Sequence, residues 1–174
     1  ENGKAKILYD KCINCGECIR SCKGGAKRPV YDSFDLVASY KYKIALPSPS
    51  LFGQFNNLDD PNYVIEGLLA LGFDEVFEVG LAAELVTDCT KKLMQEEGLT
   101  RPVISTACPA VAELILLKFH ELADHMLPVY APAKIAAKLA KKQALERGIP
   151  ADDIGIFFIS PCPAKVYSLH REEV

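Results

Sequence analysis

The sequence predicts an α/β protein: a three-layer parallel sheet with helices on both faces, preceded by a small cysteine-rich module. Short continuous apolar runs such as "YKIALP" and "IGIFFIS" alternate with longer stretches whose apolar residues recur at helical spacing. That alternation marks β-α-β units whose strands are buried on both sides. Ahead of it, four cysteines crowd into the eleven residues of "CINCGECIRSC", while the other three are scattered. The module is expected over residues 1–35 and the larger domain over 36–174.

Taken in order, Asn2-Gly3 is a turn signal, and the alternation of Ala5, Ile7 and Tyr9 against Lys4, Lys6 and Leu8 predicts a short strand. Residues 12–31 are too rich in Cys, Gly and Lys to pack as an ordinary core. "YKIALP" (42–47) reads as a buried strand ended by Pro47 and Pro49. Residues 62–72 read as a helix with Ile65, Leu68 and Leu69 inward and Gly72 at its end, followed by a strand over 75–80. The helix over 81–98 carries the stripe Leu81, Leu85, Cys89 and Leu93 and is closed by Gly98. A third strand is expected at 102–106. A helix from 109 then places Val111, Leu114, Ile115, Phe119 and Leu122 on one face, and the link 128–131 is able to form a strand. The helix over 132–148 turns Ile135, Ala136, Leu139 and Ala140 inward and its lysines outward, and 154–160 is the last strand.

With 174 residues, 49% of them hydrophobic, and a mean hydropathy of +0.08, the chain can bury a globular core. A net charge of −3 and the lack of a basic run interleaved with aromatics argue against a nucleic-acid partner. No apolar stretch approaches the ~20 residues of a spanning helix, so no membrane partner is expected. The cysteine distribution points to metal in a reducing compartment rather than to disulfides, and hence to the cytoplasm. The chain opens on Glu1 and closes in the charged "SLHREEV", so it is expected to be part of a longer protein.

Cys12, Cys15, Cys18 and Cys22 follow the C-x2-C-x2-C-x3-C pattern that wraps a cubane 4Fe-4S cluster. The small Gly16 leaves backbone amides free to turn toward sulfur. Structural zinc is the alternative, although its cysteine pairs are usually separated by a longer loop. The fourth ligand is either Cys22 or an upstream cysteine, because in two-cluster ferredoxins the last cysteine of such a run serves the other cluster. "ENGKAKILYDK" resembles the linker between two such runs, and Lys23 follows Cys22 where proline is usual.

Cys108 and Cys162 lie where predicted strands pass into helices, in "VISTACPAVAEL" and "IFFISPCPAK". All strands of a parallel sheet point the same way, so both thiols are expected at its carboxyl edge, where such folds bind ligands. Pro47 and Pro49 shape a third loop there. Pro109 as a first helical residue would place Cys108 at a helix start, which favours thiolate. Burial as an inert structural thiol is the alternative, and it is the preferred reading for Cys89.

From about residue 40 onward the chain resembles the catalytic H-cluster domain of [FeFe]-hydrogenase large subunits, on "LPSPSLFGQF", "LGFDEVFEV", "ISTACPAV" and "ISPCPAK", behind a ferredoxin-like iron–sulfur module. Ala107 and "SPCPAK" are most similar to the sensory-type branch. The resemblance implies a 4Fe-4S cluster in the module and, in the intact protein, an H-cluster made of a 4Fe-4S cubane plus a diiron site. It assigns two cubane ligands to Cys108 and Cys162, and the lysine that hydrogen-bonds a diiron cyanide to Lys165. Pro49 and Ser50 match the loop packed around the diiron unit. The remaining cubane ligands belong to a third motif not found in this sequence, so the chain as given is expected to be inactive alone.

Ala107 stands where typical relatives carry a proton-relaying thiol, and "AELVTDCTKK" where they carry acidic relay residues. The missing groups favour a hydrogen- or redox-sensing module that passes electrons through a 4Fe-4S cluster. A turnover hydrogenase with an altered proton path and an iron–sulfur assembly or scaffold protein are the alternatives. The implied partners are hydrogen and protons, with a redox protein such as ferredoxin or an attached signalling domain.

Overall fold

The computed structural model describes residues 5–56, 58–96 and 98–171. In chain order the elements are α1 (Glu17–Arg20), β1 (Tyr42–Pro47), α2 (Pro49–Phe52), α3 (Asn62–Ala70), β2 (Glu75–Val76), α4 (Val79–Gln95), α5 (Pro109–Lys118), α6 (Pro132–Glu146), β3 (Ile154–Ile159) and α7 (Pro163–Arg171). Short 3-10 turns fill several of the gaps, among them Phe34–Ser39 and His120–His125. No helix among the described residues is long and apolar enough to cross a membrane.

The sheet is parallel, in the order β2-β1-β3, with Tyr42 opposite Ile154 and Pro47 opposite Ile159. Its middle strand is covered on both faces from Ile44 to Pro47, which is why that stretch reads as an unbroken apolar run. Ile44 and Leu46 point to a core shared with Val79 and Ala82 of α4 and with Ala136, Ala140 and Ala144 of α6. Ala45 points the other way, to Val37, Val64, Leu68 and Phe73. This alternation is the period-2 geometry of a strand inside a three-layer stack. Ala136, Ala140 and Ala144 of α6 are fully buried, and their small size lets α6 lie close against α4 and the sheet. Tyr40 lies over Gly155 at the start of β3 and meets Phe157 edge-on, with centroids 5.7 Å apart.

Several expected elements differ. The Asn2-Gly3 turn lies outside the described residues, and Ala5–Leu8 is irregular, leading into a 3-10 turn at Tyr9–Lys11 rather than a strand. The strand expected over 75–80 pairs only at Glu75–Val76, since Val79 already begins α4. Residues 102–106 do not join the sheet: they make a single parallel bridge, Ile104 with Met126. Thr106 there donates its hydroxyl to the carbonyls of Leu127 and Val129, at 3.0 and 3.2 Å. Side-chain bonds of this kind compete with a backbone ladder.

The inner face of α4 is not the predicted stripe. Leu81 and Leu85 are 54% and 55% exposed, Cys89 is exposed, and Val79 and Ala82 are buried instead. A close helix pair selects small side chains at its contact, whatever the hydrophobicity of the opposite stripe. In α3, Val64 is buried beside Leu68, while Leu69 is exposed. In α5 only Ala110 and Ile115 are buried; Val111 and Phe119 are exposed, and Phe119 leaves the helix with φ −132°.

Candidate functional site

Each lone cysteine outside α4 caps a helix. The Cys108 carbonyl accepts the N–H groups of Val111 and Ala112 at 3.1 and 3.2 Å, and Pro109 is the first residue of α5. The Cys162 carbonyl accepts the N–H of Val166 at 3.2 Å, and Pro163 opens α7. Proline suits that position because its missing N–H would have no partner in the helix. A serine precedes each motif. Ser160 Oγ accepts the N–H of Cys162 at 3.2 Å, and Ser105 Oγ that of Ala107 at 3.4 Å.

Cys162 is reached directly from β3, at the carboxyl edge of the sheet, as expected. The approach to Cys108 is different: it follows the segment bridged to Met126, not a strand of the sheet. The two helix starts are nevertheless neighbours, since Pro109 and Glu113 of α5 and Ala164, Tyr167 and Ser168 of α7 line one recess of about 220 Å³. Beyond the ladder, the Ser48 N–H donates to the Ile159 carbonyl at 2.9 Å, tying the ends of β1 and β3 together. Ser48 is buried, and its hydroxyl lies 2.8 Å from that of Ser50. Pro49 and Ser50 begin α2 and are exposed; Lys165 is half-buried in the first turn of α7.

In the cysteine run, Asn14 and Gly16 adopt left-handed conformations, φ +52° and +79°. The first turn brings the Asn14 N–H to Cys12 Sγ at 3.4 Å. Around Cys22, the amides of Lys27 and Ala26, followed by those of Gly24 and Gly25, donate to the thiol and hold its pKa below the ordinary thiol value. Amide donors at sulfur stabilise thiolate, the form that binds iron. The donor set and its spacing thus fit a cubane cluster. Among the described residues no three Cys, His, Asp or Glu side chains are gathered closely enough to hold a metal ion.

The same loop docks on the helix starts. Ile13 and Asn14 close the recess between α5 and α7, and Gly16 lies so near Pro163 that a Cβ on it would come within 2.8 Å of Pro163 Cγ. The cysteine run and the two lone-cysteine motifs therefore meet at one junction. Spacing alone did not reveal that contact. Its one sequence signal is a glycine inside the run.

Ala107 lines a different cavity, of about 690 Å³, together with Thr87, Thr90, Ser105 and Thr106. The Thr87 and Thr90 hydroxyls donate to the Ala83 and Val86 carbonyls of their own helix, both at 2.8 Å. Lys91 and Tyr130 are the ionisable residues among the described lining of this cavity, which includes no carboxylate, thiol or imidazole. A larger cavity, about 970 Å³, lies toward α3 and includes none of the predicted site residues.

Two family descriptions match the chain: "Iron only hydrogenase large subunit, C-terminal domain" over residues 41–174, and "4Fe-4S binding domain" over residues 5–28. The NADP-reducing hydrogenase subunit HndD of Solidesulfovibrio fructosivorans is 24% identical over 185 residues, covering 93% of this chain and 31% of its own length. A solved [FeFe]-hydrogenase, described in terms of oxygen inactivation through modification and degradation of the H cluster 2Fe subcluster, aligns with a TM-score of 0.62 at 21% identity. That alignment covers 74% of this chain and 36% of the hydrogenase, and it shows the shared fold. The chain spans about a third of the length of each of these two proteins.

Proposed function

The chain belongs to the iron-only hydrogenase large-subunit family and carries a 4Fe-4S binding motif, and from that premise we propose that it conducts electrons for a hydrogen- or redox-sensing protein rather than for fast hydrogen turnover. In this reading residues 1–35 form the electron-carrying module and 36–174 the first part of the H-cluster domain. Cys12, Cys15, Cys18 and Cys22 hold the 4Fe-4S cluster. Cys108 and Cys162 supply two thiolates to the H-cluster, with Lys165, Pro49 and Ser50 on the side of its diiron unit. Bound there, the clusters supply low-potential electron transfer and the metal site at which hydrogen is taken up or released.

The chain's own residues do the rest. The amides of residues 24–27 favour the ionised thiol at Cys22, and Cys108 and Cys162 each stand at the start of a helix. The cysteine loop docks at the start of α7, against Pro163 next to Cys162, and that junction supports electron exchange between the two motifs. The observation that carries the sensing role is the cavity at Ala107. A methyl can neither accept nor donate a proton, and the threonine hydroxyls beside it give their protons to backbone carbonyls. A protein that reports hydrogen without consuming it is served by slow proton exit. Its electron partner would be a ferredoxin-like protein or an attached signalling domain.

The test compares hydrogen oxidation by the full-length, matured protein and by its Ala107→Cys variant. A general acid–base relay contributes about 10²–10⁴-fold, so the variant should gain rate within that range. A native rate already equal to that of a turnover hydrogenase refutes the sensing role. Anaerobic iron reconstitution tests the module separately: stoichiometric zinc with no iron signal in electron paramagnetic resonance removes the 4Fe-4S assignment.

A further inference from the structure

We infer that Gly16 and Pro163 form a positioning contact that seats the cysteine loop against the second lone-cysteine motif, and so sets the gap across which electrons pass between the two. This rests on the proposed function and goes further by naming the residues that regulate coupling. Gly16 lies between Cys15 and Cys18, and Pro163 directly follows Cys162. Any displacement at this contact is therefore transmitted over one or two peptide units to thiols on both sides.

Two features make the contact restrictive. Gly16 has φ +79°, a left-handed conformation that glycine adopts without the steric penalty of a Cβ. Added there, a Cβ would stand 2.8, 3.3 and 3.4 Å from Cγ, Cδ and Cβ of Pro163. Separations under 3 Å force one partner to move. The proline ring cannot swing aside, because it is closed onto its own backbone at the start of α7. The loop must give way instead, and the recess it shares with Ile13, Asn14, Pro109 and Ala164 opens with it.

Pro163→Ala removes Cγ and Cδ and leaves only the 3.4 Å neighbour, which is ordinary contact. The pair therefore makes a double-mutant cycle in which left-handed strain at position 16 is common to both Gly16→Ala arms and cancels.

The experiment uses the full-length protein as native, Gly16→Ala, Pro163→Ala and double variant, with two readouts. Amide hydrogen exchange should rise jointly in residues 13–18 and 164–168 of Gly16→Ala, leave β1 and β3 unchanged, and return toward native in the double variant. In the matured protein, poised with both centres paramagnetic, the magnetic broadening between them should be lost in Gly16→Ala and regained in the double variant. Iron content should stay the same throughout. Exchange that rises in 13–18 alone, or is not restored by Pro163→Ala, overturns the inference and leaves Gly16 as a loop-conformation residue only. A native protein that takes up no iron yet shows the joint exchange response retains the contact and refutes the electron-transfer reading instead.

Discussion

Gly155→Ala should destabilise the domain that presents Cys162. Gly155 is the second residue of β3, and a Cβ added there would lie 2.5 Å from Tyr40 Cγ and 2.7 Å from both Tyr40 Cδ2 and Phe157 Cε2. All three are ring atoms, and the rings are held in place by each other: Tyr40 is edge-on to Phe157, which is itself edge-on to Phe73 at 5.8 Å. Overpacking of this kind costs about 1–3 kcal/mol, and displacing one aromatic pair adds about 0.5–1.5 kcal/mol. Alanine recovers about 0.4–1 kcal/mol by restricting the unfolded chain. The net loss is about 0.5–4 kcal/mol. Equilibrium urea unfolding should show a lower midpoint at unchanged slope, and most of the loss should vanish in a Tyr40→Ala background, where the opposing ring is gone. A loss of stability under about 0.5 kcal/mol, or an equal loss without Tyr40, would refute the steric account.

Ala140→Leu, at a fully buried position of α6 facing α4, should cost about 1–3 kcal/mol by the same unfolding assay. Asp74 is held below the ordinary carboxylate range by the Lys43 ammonium, 2.9 Å away, and by the Lys43 backbone N–H at 2.8 Å. Its contribution is therefore present above the unfolded value of about 3.9 and is lost as pH falls through the lower folded value, so Asp74→Asn should flatten the acid limb of stability. The effect should be small because the pair is partly exposed. Cys22 in the apo-protein should be alkylated with a pH midpoint below that of an ordinary thiol, near about 8.5; an ordinary midpoint would remove the amide cradle from the argument. Native-state hydrogen exchange should be faster at residues 104–107 than at 155–159, since only the latter lie in the sheet.

What the sequence made legible follows from how local each signal is. β1, β3 and α6 were readable because burial on both faces demands an unbroken apolar run, and because α6 separates alanines from lysines around its axis. The cysteine run was readable because the spacing of its cysteines is itself the 4Fe-4S motif that the family match over residues 5–28 bears out. The face of α4 was not, since a stripe of leucines records hydrophobicity while the contact with α6 selects for size. The strand expected at 102–106 failed for a related reason: its β-branched residues fit an extended segment, and extension does not specify a partner. Thr106 supplies that partner through its hydroxyl, outside the main sheet. Cys89 was read as a core thiol on the strength of the same misplaced stripe.

The two lone thiols are therefore held to different degrees. Cys162 is fixed by six paired positions of β3 with β1, by Ser160 Oγ on its own amide, and by the Ser48–Ile159 bond that closes the edge beyond the ladder. Cys108 is held through one bridge and the Thr106 hydroxyl, and the serine bond in its motif stops one residue short, at Ala107. Metal-site geometry tolerates little error in the position of a ligand, so if both thiols bind the proposed cluster, the less firmly held one needs a reference point. The fixed side supplies it. Cys162 is also the side on which the cysteine loop rests, through Gly16 and Pro163. In the proposed reading the cysteine loop is thus registered against the better-anchored thiol, and adjustment at Cys108 would accommodate a cluster without altering the Gly16–Pro163 contact.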